Sequence, residues 1–128
     1  MKISVVIPVY NSEKILKKLV FKIRKSIKKF TQNYEIILIN DFSKDSSWNE
    51  ILKIVKKYNN IKGINLDDNY GQHNAIMAGL KYTKGEYIVL MDDDLQHDPK
   101  YIEHIYQKLK SDYDVCYTKY INRKHETW

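Results

Sequence analysis

Three consecutive aspartates, Asp92, Asp93 and Asp94, follow an apolar run and carry the strongest chemical signal in the sequence. Adjacent carboxylates repel one another, so a cluster at the end of a buried strand is costly unless a cation shares the site. Along an extended segment Asp92 and Asp94 point to one side, Asp93 points away, and Gln96 continues the alternation. Hard oxygen ligands of this kind suit Mg²⁺ or Mn²⁺. The pattern predicts either a divalent-cation site or a solvated acidic turn before the next helix.

Polar residues and a glycine also follow three earlier apolar runs. Tyr10 and Asn11 follow the first run, Asp41 follows the second, and Gly71 and Gln72 lie beyond the third. A carboxylate at the position of Asp41 can accept hydrogen bonds from a ribose or a base edge, or it can form a local Asx turn. The fingerprints GxGxxG and GxxxxGK[ST] are absent, which disfavours ordinary dinucleotide-binding and P-loop functions.

The apolar runs alternate with amphipathic stretches, and together they predict the elements that position these side chains. Short β-rich runs predict five strands: Ile3–Val9, Tyr34–Ile39, Ile61–Leu66, Glu86–Met91 and Asp114–Thr118. Apolar residues spaced three and four apart predict four helices: 13–30, 46–59, 72–83 and 99–110. Asp98 is the predicted N-cap of the last helix. This alternation predicts a Rossmann-like, mostly parallel sheet with helices on both faces and ligands at the carboxyl ends of its strands.

Length and composition limit the class of protein. The chain has 128 residues, of which 43% are hydrophobic, a net charge of +6, and one cysteine, Cys116. A chain of this size forms one domain that buries roughly two thirds of its unfolded surface and needs no disulfide. A lone cysteine predicts a reducing, cytoplasmic setting. No stretch approaches the roughly 18 apolar residues of a membrane-spanning helix, and the start lacks the pattern of a signal peptide.

The positive charge is concentrated near the amino end. Glu13 is the single acid among the first 30 residues, which contain nine basic residues: Lys2, Lys14, Lys17, Lys18, Lys22, Arg24, Lys25, Lys28 and Lys29. The predicted helix 13–30 therefore either contacts an anionic membrane surface or presents an ordinary solvated face. The rest of the chain is nearly neutral, so the protein does not have a uniformly basic surface for binding nucleic acid. Nucleic acid is therefore not an expected partner.

Four short blocks occur in the order of one known family. They are Pro8-Val9-Tyr10-Asn11, Asn40-Asp41-Phe42-Ser43-Lys44-Asp45-Ser46-Ser47, Asn69-Tyr70-Gly71-Gln72 and Asp92-Asp93-Asp94-Leu95-Gln96. Together they resemble family 2 glycosyltransferases of the GT-A fold, in particular the polyprenyl-phosphate branch that includes dolichol-phosphate mannose synthases. Catalytic domains of that fold run beyond 128 residues, so the resemblance implies that 1–128 is a single nucleotide-sugar-binding domain truncated at its carboxyl end.

The resemblance implies a role for each matching residue. It places the nucleotide sugar against residues from all four blocks: Pro8, Tyr10, Asn11, Asp41, Gly71, Gln72, Asp92 and Asp93. It makes Asp92 and Asp94 the DxD motif and the catalytic residues. The implied cofactor is Mg²⁺ or Mn²⁺, held by Asp92, Asp94 and Gln96. Lys119 and Arg123 are the implied contacts to the phosphates or the acceptor.

The implied reaction is metal-dependent, inverting transfer of a sugar from a nucleotide diphosphate sugar, with a UDP-sugar favoured, to a polyprenyl phosphate lipid for synthesis or modification of bacterial cell-envelope glycans. The implied location is cytoplasmic, at the inner membrane. A phosphate acceptor is already anionic at pH 7, so it needs no general base. Two alternatives stay open: a family 2 enzyme acting on a saccharide hydroxyl, and a non-catalytic module that binds a nucleotide sugar or an anionic surface.

Overall fold

A computed structural model of the chain describes residues 2–117. Within this range the strands are β1 (Ile3–Val9), β2 (Tyr34–Asn40), β3 (Ile61–Asn65) and β4 (Tyr87–Leu90). The α-helices are α1 (Leu16–Ile27), α2 (Ser47–Lys57), α3 (Gln72–Leu80) and α4 (Ile102–Asp112). A short 3-10 turn over Pro99–Tyr101 leads directly into α4.

The four strands form one parallel sheet in the order β3-β2-β1-β4. Ile3 of β1 lies in register with Tyr34 of β2 and with Tyr87 of β4. β1 and β2 are buried along their whole length. Burial on both faces explains why their sequences are continuously apolar rather than alternating. The predicted α/β fold with a parallel sheet is confirmed.

The predicted strand at Asp114–Thr118 is wrong for the residues that the structure describes. Residues 113–117 follow α4 without forming a strand, and the side chains of Val115 and Tyr117 are 63% and 91% exposed. Valine and tyrosine favour strands, but this preference depends on a neighbouring strand and a buried face. Within residues 2–117 neither is present beside this segment. Thr118 lies outside the described residues.

The larger part of the core lies on one face of the sheet. The side chains of β1 and β2 that point to this face pack against α1, α2 and α4. Five apolar residues of α1 belong to this part of the core, and all are fully buried except Val20, which is 2% exposed: Leu16, Leu19, Val20, Ile23 and Ile27. Burial of a large aliphatic side chain is worth about 1.5–3 kcal/mol, so this stripe holds α1 firmly on the sheet.

α3 covers the opposite face. Its Ala75 packs with Val6, Ile37 and Ile39 in a second, smaller cluster. A Cβ atom on Gly79 would lie 2.6 Å from Cδ1 of Ile39 and 2.8 Å from Cγ1 of Val6. The missing side chain therefore lets α3 approach the sheet closely near its carboxyl end.

The ends of the helices follow local capping chemistry. The predicted N-cap is confirmed, because the carboxylate of Asp98 accepts a hydrogen bond from the Lys100 N–H at 3.0 Å. α1 begins at Leu16, later than the predicted residue 13, because the carbonyl oxygen of Ser12 accepts the N–H groups of Ile15 and Leu16 and holds the intervening residues in a turn. Among the described residues, no helix has the length and apolar character needed to cross a membrane.

A buried carboxylate, Glu35 of β2, ties the amino ends of the strands together. Its Oε1 accepts hydrogen bonds from Ser4 Oγ and the Lys84 N–H, both at 2.7 Å, and its Oε2 pairs with Lys62 Nζ at 3.1 Å. The hydroxyl oxygen of Ser4 accepts the Gly85 N–H at 2.8 Å. Burial favours the neutral acid, but the hydrogen bonds outweigh it and lower the pKa of Glu35. The network thus anchors the segment that enters β4.

Candidate active site

The order of the strands creates a topological switch point between β1 and β4. From β1 the chain continues to β2 and β3 on one side, and it then returns to β4 on the other side of β1. Open α/β sheets bind ligands at the carboxyl ends of the strands beside such a point. The loop after β1 carries Tyr10, and the loop after β4 carries Asp92, Asp93 and Asp94, so these two loops define the candidate site.

Pro8 lies where β1 and β4 diverge. The register between the two strands ends at Val6 and Leu90. The carbonyl oxygen of Val6 faces β4, where it accepts the Met91 N–H at 3.1 Å, and the alternation along a strand makes position 8 face the same side. Proline has no N–H to donate, and beyond the end of β4 the ladder requires none. The predicted site residue Pro8 is therefore buried in β1 at the switch point.

Asp93 connects the two loops of the site. Its Oδ2 accepts a hydrogen bond from the Tyr10 N–H at 2.8 Å and another from the hydroxyl of Ser12. Burial raises the pKa of Asp93 above its usual value, and the two hydrogen bonds only partly offset this effect. The carboxylate of Asp93 thus points at the β1 loop, and its hydrogen bonds join the loop after β4 to the loop after β1.

Asp92 and Asp94, on either side of Asp93, are half-buried. Oδ1 of Asp92 accepts a hydrogen bond from Nε2 of Gln72, the first residue of α3, at 2.6 Å. Oδ1 of Asp94 accepts the backbone N–H of Gln96 at 3.0 Å, which closes the turn after the three aspartates. The structure therefore brings Asp92 and Gln72 together from two different loops. The roles predicted for these residues in binding the nucleotide sugar and the metal stay predictions.

The loops after β1 and β2 are linked through Asn11. The Asn11 N–H donates to Ser43 Oγ at 3.1 Å, and Asn11 Oδ1 accepts the Lys44 N–H at 2.9 Å. The side-chain oxygen of this predicted binding residue therefore holds the neighbouring loop. This pairing keeps the β1 loop, which also carries Tyr10, in one position relative to β2.

A second link between these loops involves residues that the sequence interpretation did not select. The Ser12 N–H donates to Ser47 Oγ at 2.8 Å, and the carboxylate of Asp45 accepts the N–H groups of Glu13 and Ser47. Burial favours the neutral acid, but the hydrogen bonds from Ser47 and Glu13 outweigh it and lower the pKa of Asp45. The available signal was the run Asp45-Ser46-Ser47, whose residue types are typical of a helix start.

Asp41, at the end of β2, is fully buried. Its Oδ1 accepts the Tyr70 N–H at 2.8 Å and its Oδ2 accepts the Gly71 N–H at 2.9 Å. Gly71 is the N-cap of α3 and has φ of 87°, a backbone conformation that favours glycine. In this structure Asp41 thus holds the amino end of α3, and a direct contact with a nucleoside stays a prediction.

Left-handed backbone marks the same edge of the sheet. Across residues 2–117 the positive φ angles are 51° at Asn11, 57° at Phe42, 87° at Gly71 and 62° at Leu95. These four residues lie one in each of the loops that follow β1, β2, β3 and β4. Such conformations are uncommon for residues other than glycine and concentrate at functional sites. Asparagine, at position 11, is a residue type that tolerates this conformation, whereas phenylalanine and leucine, at positions 42 and 95, are not.

The donor set of the β4 loop fits a hard divalent cation that is also bound by a substrate. In the described part of the chain, no three His, Cys, Asp or Glu side chains are grouped so that they could hold a metal ion alone. Mg²⁺ typically keeps water ligands and binds through one or two carboxylates together with substrate phosphates. Asp92 and Asp94 supply two such carboxylates, since Asp93 is turned to the β1 loop. The predicted residues Lys119 and Arg123 lie outside the described residues.

The parallel α/β fold of the chain matches structures of GT-A glycosyltransferases such as S. aureus TarS. The chain belongs to glycosyl transferase family 2, whose family model matches residues 4–128. The resemblance inferred from the four sequence blocks is therefore confirmed.

Two similar proteins support this assignment, one of them through two crystal structures. An undecaprenyl-phosphate 4-deoxy-4-formamido-L-arabinose transferase of Photorhabdus laumondii is 40% identical over 124 residues, which are 96% of this chain and 38% of the relative. The crystal structure of S. aureus TarS 1–349 has a TM-score of 0.69 and 29% identity over 86% of this chain and 32% of that one. TarS in complex with UDP-GlcNAc has a TM-score of 0.62 and 33% identity over 73% and 27%. The chain thus spans about two fifths of the length of the curated relative it matches.

Proposed function

We propose that this chain is the donor-binding part of an inverting glycosyltransferase that transfers a sugar from a nucleotide diphosphate, with UDP preferred, to a polyprenyl phosphate. The observation that carries the proposal is the pair of half-buried carboxylates, Asp92 and Asp94, opposite the Tyr10 loop at the switch point. Similarity to an undecaprenyl-phosphate transferase supports the acceptor class, and similarity to TarS in complex with UDP-GlcNAc supports the donor class.

The loops at the switch point divide the binding of the donor between them. The ring of Tyr10, a half-buried residue of the β1 loop, would stack on the base of the nucleotide, and Asp93 holds the backbone of Tyr10 from the β4 side. Gln72 donates to Asp92 and so limits the orientations of that carboxylate. Electrostatic groups held in place before the substrate arrives stabilise developing charge with little reorganisation.

Asp92 and Asp94 are the residues that would hold Mg²⁺ or Mn²⁺, with Gln96 as a third oxygen ligand. When bound, the ion would stabilise the negative charge that develops on the departing nucleotide diphosphate. Gln96 follows the turn closed by its own N–H and Asp94, which keeps the two residues together.

A polyprenyl phosphate acceptor does not require a general base. The acceptor oxygen of a phosphate is already anionic at pH 7, so no proton has to be removed before it attacks. Because such an acceptor is a membrane lipid and nucleotide sugars are cytoplasmic, we place the reaction at the cytoplasmic face of the membrane.

Binding of the donor tests the proposal directly. UDP-sugars with Mn²⁺ should raise the melting temperature of the chain more than GDP-sugars do, and removal of Mn²⁺ should reduce the shift. A ligand at a hundredfold excess over its Kd stabilises by about 2.7 kcal/mol, which corresponds to a rise of roughly 10 °C for a domain of this size.

A matched pair of variants assigns the effect to the site. Asp94→Asn keeps an oxygen for the Gln96 N–H but removes the charge, and it should weaken Mn²⁺-dependent binding at least about tenfold. Asp112→Asn makes the same chemical change at an exposed residue at the end of α4, and it should leave binding unchanged. Equal affinities of the two variants would overturn the metal role of Asp94.

A further inference from the structure

The outward side of α1 consists of basic residues and one exposed aromatic residue. Every residue of this helix that is not buried belongs to this side: Lys17, Lys18, Phe21, Lys22, Arg24 and Lys25. Phe21 is 61% exposed and lies among the lysines. At 3.6 residues per turn these positions share one side of the helix, opposite the stripe that packs on the sheet. We use the term α1 face for Lys17, Lys18, Phe21, Lys22 and Lys25.

The lysines of the α1 face carry positive charge that no ion pair among residues 2–117 neutralises. In the part of the chain that the structure describes, the ion pairs engage Lys2, Lys53, Lys62 and Lys100, and none engages a lysine of the α1 face. Arg24 differs, because its guanidinium lies over the ring of Tyr58 at 3.7 Å. Four like charges on one short surface repel one another, and an anionic partner would remove that repulsion.

We propose that the α1 face docks α1 lengthwise on an anionic lipid surface, with the ring of Phe21 inserted between the headgroups. Helices that bind in the plane of a membrane interface combine lysines with exposed aromatic or aliphatic residues in this way. Lysine ammonium groups are compact point charges that suit a diffuse layer of headgroups. The exposed ring of Phe21 among the lysines favours lipid over nucleic acid, because a lipid surface offers an apolar layer into which the ring can insert.

Docking through the α1 face would bring the candidate active site close to the lipid. The N–H of Leu16, the first residue of α1, donates to the carbonyl oxygen of Ser12 at 3.1 Å, and the hydroxyl of Ser12 donates to Asp93. The amino end of the docked helix is therefore joined directly to the loop of the site. Access of a polyprenyl phosphate to the site rests on the proposed function, whereas docking itself does not.

Sedimentation with lipid vesicles tests the docking surface. The 128-residue chain should bind phosphatidylcholine vesicles that contain about 30 mol% phosphatidylglycerol, and it should not bind phosphatidylcholine alone. Each lysine near such a surface contributes about fivefold, so Lys17→Gln with Lys25→Gln should weaken binding about 25-fold. Lys81→Gln with Lys84→Gln removes the same charge from exposed lysines outside the α1 face and should change binding less than about twofold.

The aromatic residue has its own matched control. Phe21→Ala should weaken binding to the anionic vesicles at least about threefold, because the inserted ring contributes buried apolar area. Met77→Ala removes an apolar side chain of similar exposure, 59%, from α3 on the opposite face of the sheet, and it should have no effect. The circular dichroism spectra and melting temperatures of the variants should match those of the parent chain, since all substituted residues are exposed.

Three results would overturn the inference. The first is equal binding to neutral and anionic vesicles, and the second is an equal loss of binding in the two double-lysine variants. The third is release of the chain from anionic vesicles by duplex DNA when the concentration of DNA phosphate is below that of the anionic lipid. UDP-sugar affinity of the same samples separates this proposal from the proposed function. Lost vesicle binding with intact donor binding overturns docking alone, and the reverse result overturns donor binding alone.

Discussion

The backbone N–H of Tyr10 donates a hydrogen bond to Oδ2 of Asp93 at 2.8 Å. This bond joins the loop after β1 to the loop after β4, although the two residues are far apart in sequence. Ser12 donates to the same oxygen, so both donors from the β1 loop converge on one atom. Asp93, the central aspartate of the acidic run, therefore holds the β1 loop in position. Asp92 and Asp94, on either side of it, are half-buried.

Replacement of Asp93 by alanine should weaken donor binding without unfolding the chain. The variant leaves the Tyr10 N–H and the Ser12 hydroxyl without their acceptor and frees the β1 loop to move. We expect UDP affinity to fall about tenfold or more, because a lost charge-assisted hydrogen bond costs about 1.5–3 kcal/mol. Isothermal titration of UDP, with a melting curve of each sample, measures the effect.

Asp93→Asn is the informative control for this effect. Both donors use Oδ2, so the single carbonyl oxygen of asparagine can accept both of them. This variant should bind UDP within about threefold of the parent chain, because the geometry of the loop is kept. Equal losses of UDP affinity in the alanine and asparagine variants would show that the charge of Asp93 matters for binding, rather than its hydrogen bonds to the β1 loop.

Asp41 should respond differently to the same substitution. Its two oxygens accept one N–H each, from Tyr70 and from Gly71, so asparagine can satisfy one donor and directs its own NH₂ group against the other. We expect Asp41→Asn to lower the free energy of unfolding by about 1–3 kcal/mol. Urea unfolding followed by fluorescence measures this loss, and Asp68→Asn, at an exposed position of the loop that carries Tyr70 and Gly71, serves as the control.

The sheet could be predicted from the sequence because β1 and β2 are buried on both faces. Continuous apolar runs carry this information locally, and the amphipathic pattern of 13–30 does the same for α1. The segment 114–118 has similar strand propensity, but whether a neighbouring strand lies beside it is a tertiary property. Local sequence contains no signal for that property, which explains the incorrect fifth strand.

The candidate site was only partly predictable for the same reason. The carboxylates after the strands are recognisable by type and position. The bonds that orient them, such as that from Gln72 to Asp92, join distant parts of the chain and depend on the packing of α3. Serines at positions 12 and 47 are common turn residues, so nothing in their sequence context indicates a link between two loops.

Phe42 is a site where a substitution should stabilise the fold. Its φ of 57° is left-handed, which costs a residue with a Cβ atom about 1–2 kcal/mol, and its ring is 51% exposed. Phe42→Gly should raise the free energy of unfolding by up to about 1 kcal/mol, because relief of strain exceeds the added flexibility of the unfolded chain. Phe42→Ala keeps the strain and should bring no gain. Urea titrations of both variants measure the difference. Equal free energies of unfolding for the glycine and alanine variants would show that the backbone at position 42 is not strained.

The network around Glu35 predicts how stability depends on pH. Hydrogen bonds from Ser4 and Lys84 and the pairing with Lys62 lower the pKa of this carboxyl in the folded state. A lowered pKa means that the folded state favours the ionised form, so the stabilisation is complete above the pKa of the unfolded chain, near 4.3. The stabilisation is then lost as the pH falls through the lower pKa of the folded state.

Glu35→Gln should therefore lower stability at pH 7 and flatten the acid part of the pH profile. The amide would place an NH₂ group against either Lys62 or the donors of Ser4 and Lys84, which costs about 1–3 kcal/mol for a buried group. Urea unfolding between pH 7 and pH 3 should show a shallower decline for this variant than for the parent chain. Glu86→Gln makes the same change at an exposed carboxylate paired with Lys2, where solvent screening should make the loss much smaller than that of Glu35→Gln. Parallel pH profiles for Glu35→Gln and the parent would mean that Glu35 does not contribute to acid unfolding, since its titration is the difference between the two proteins.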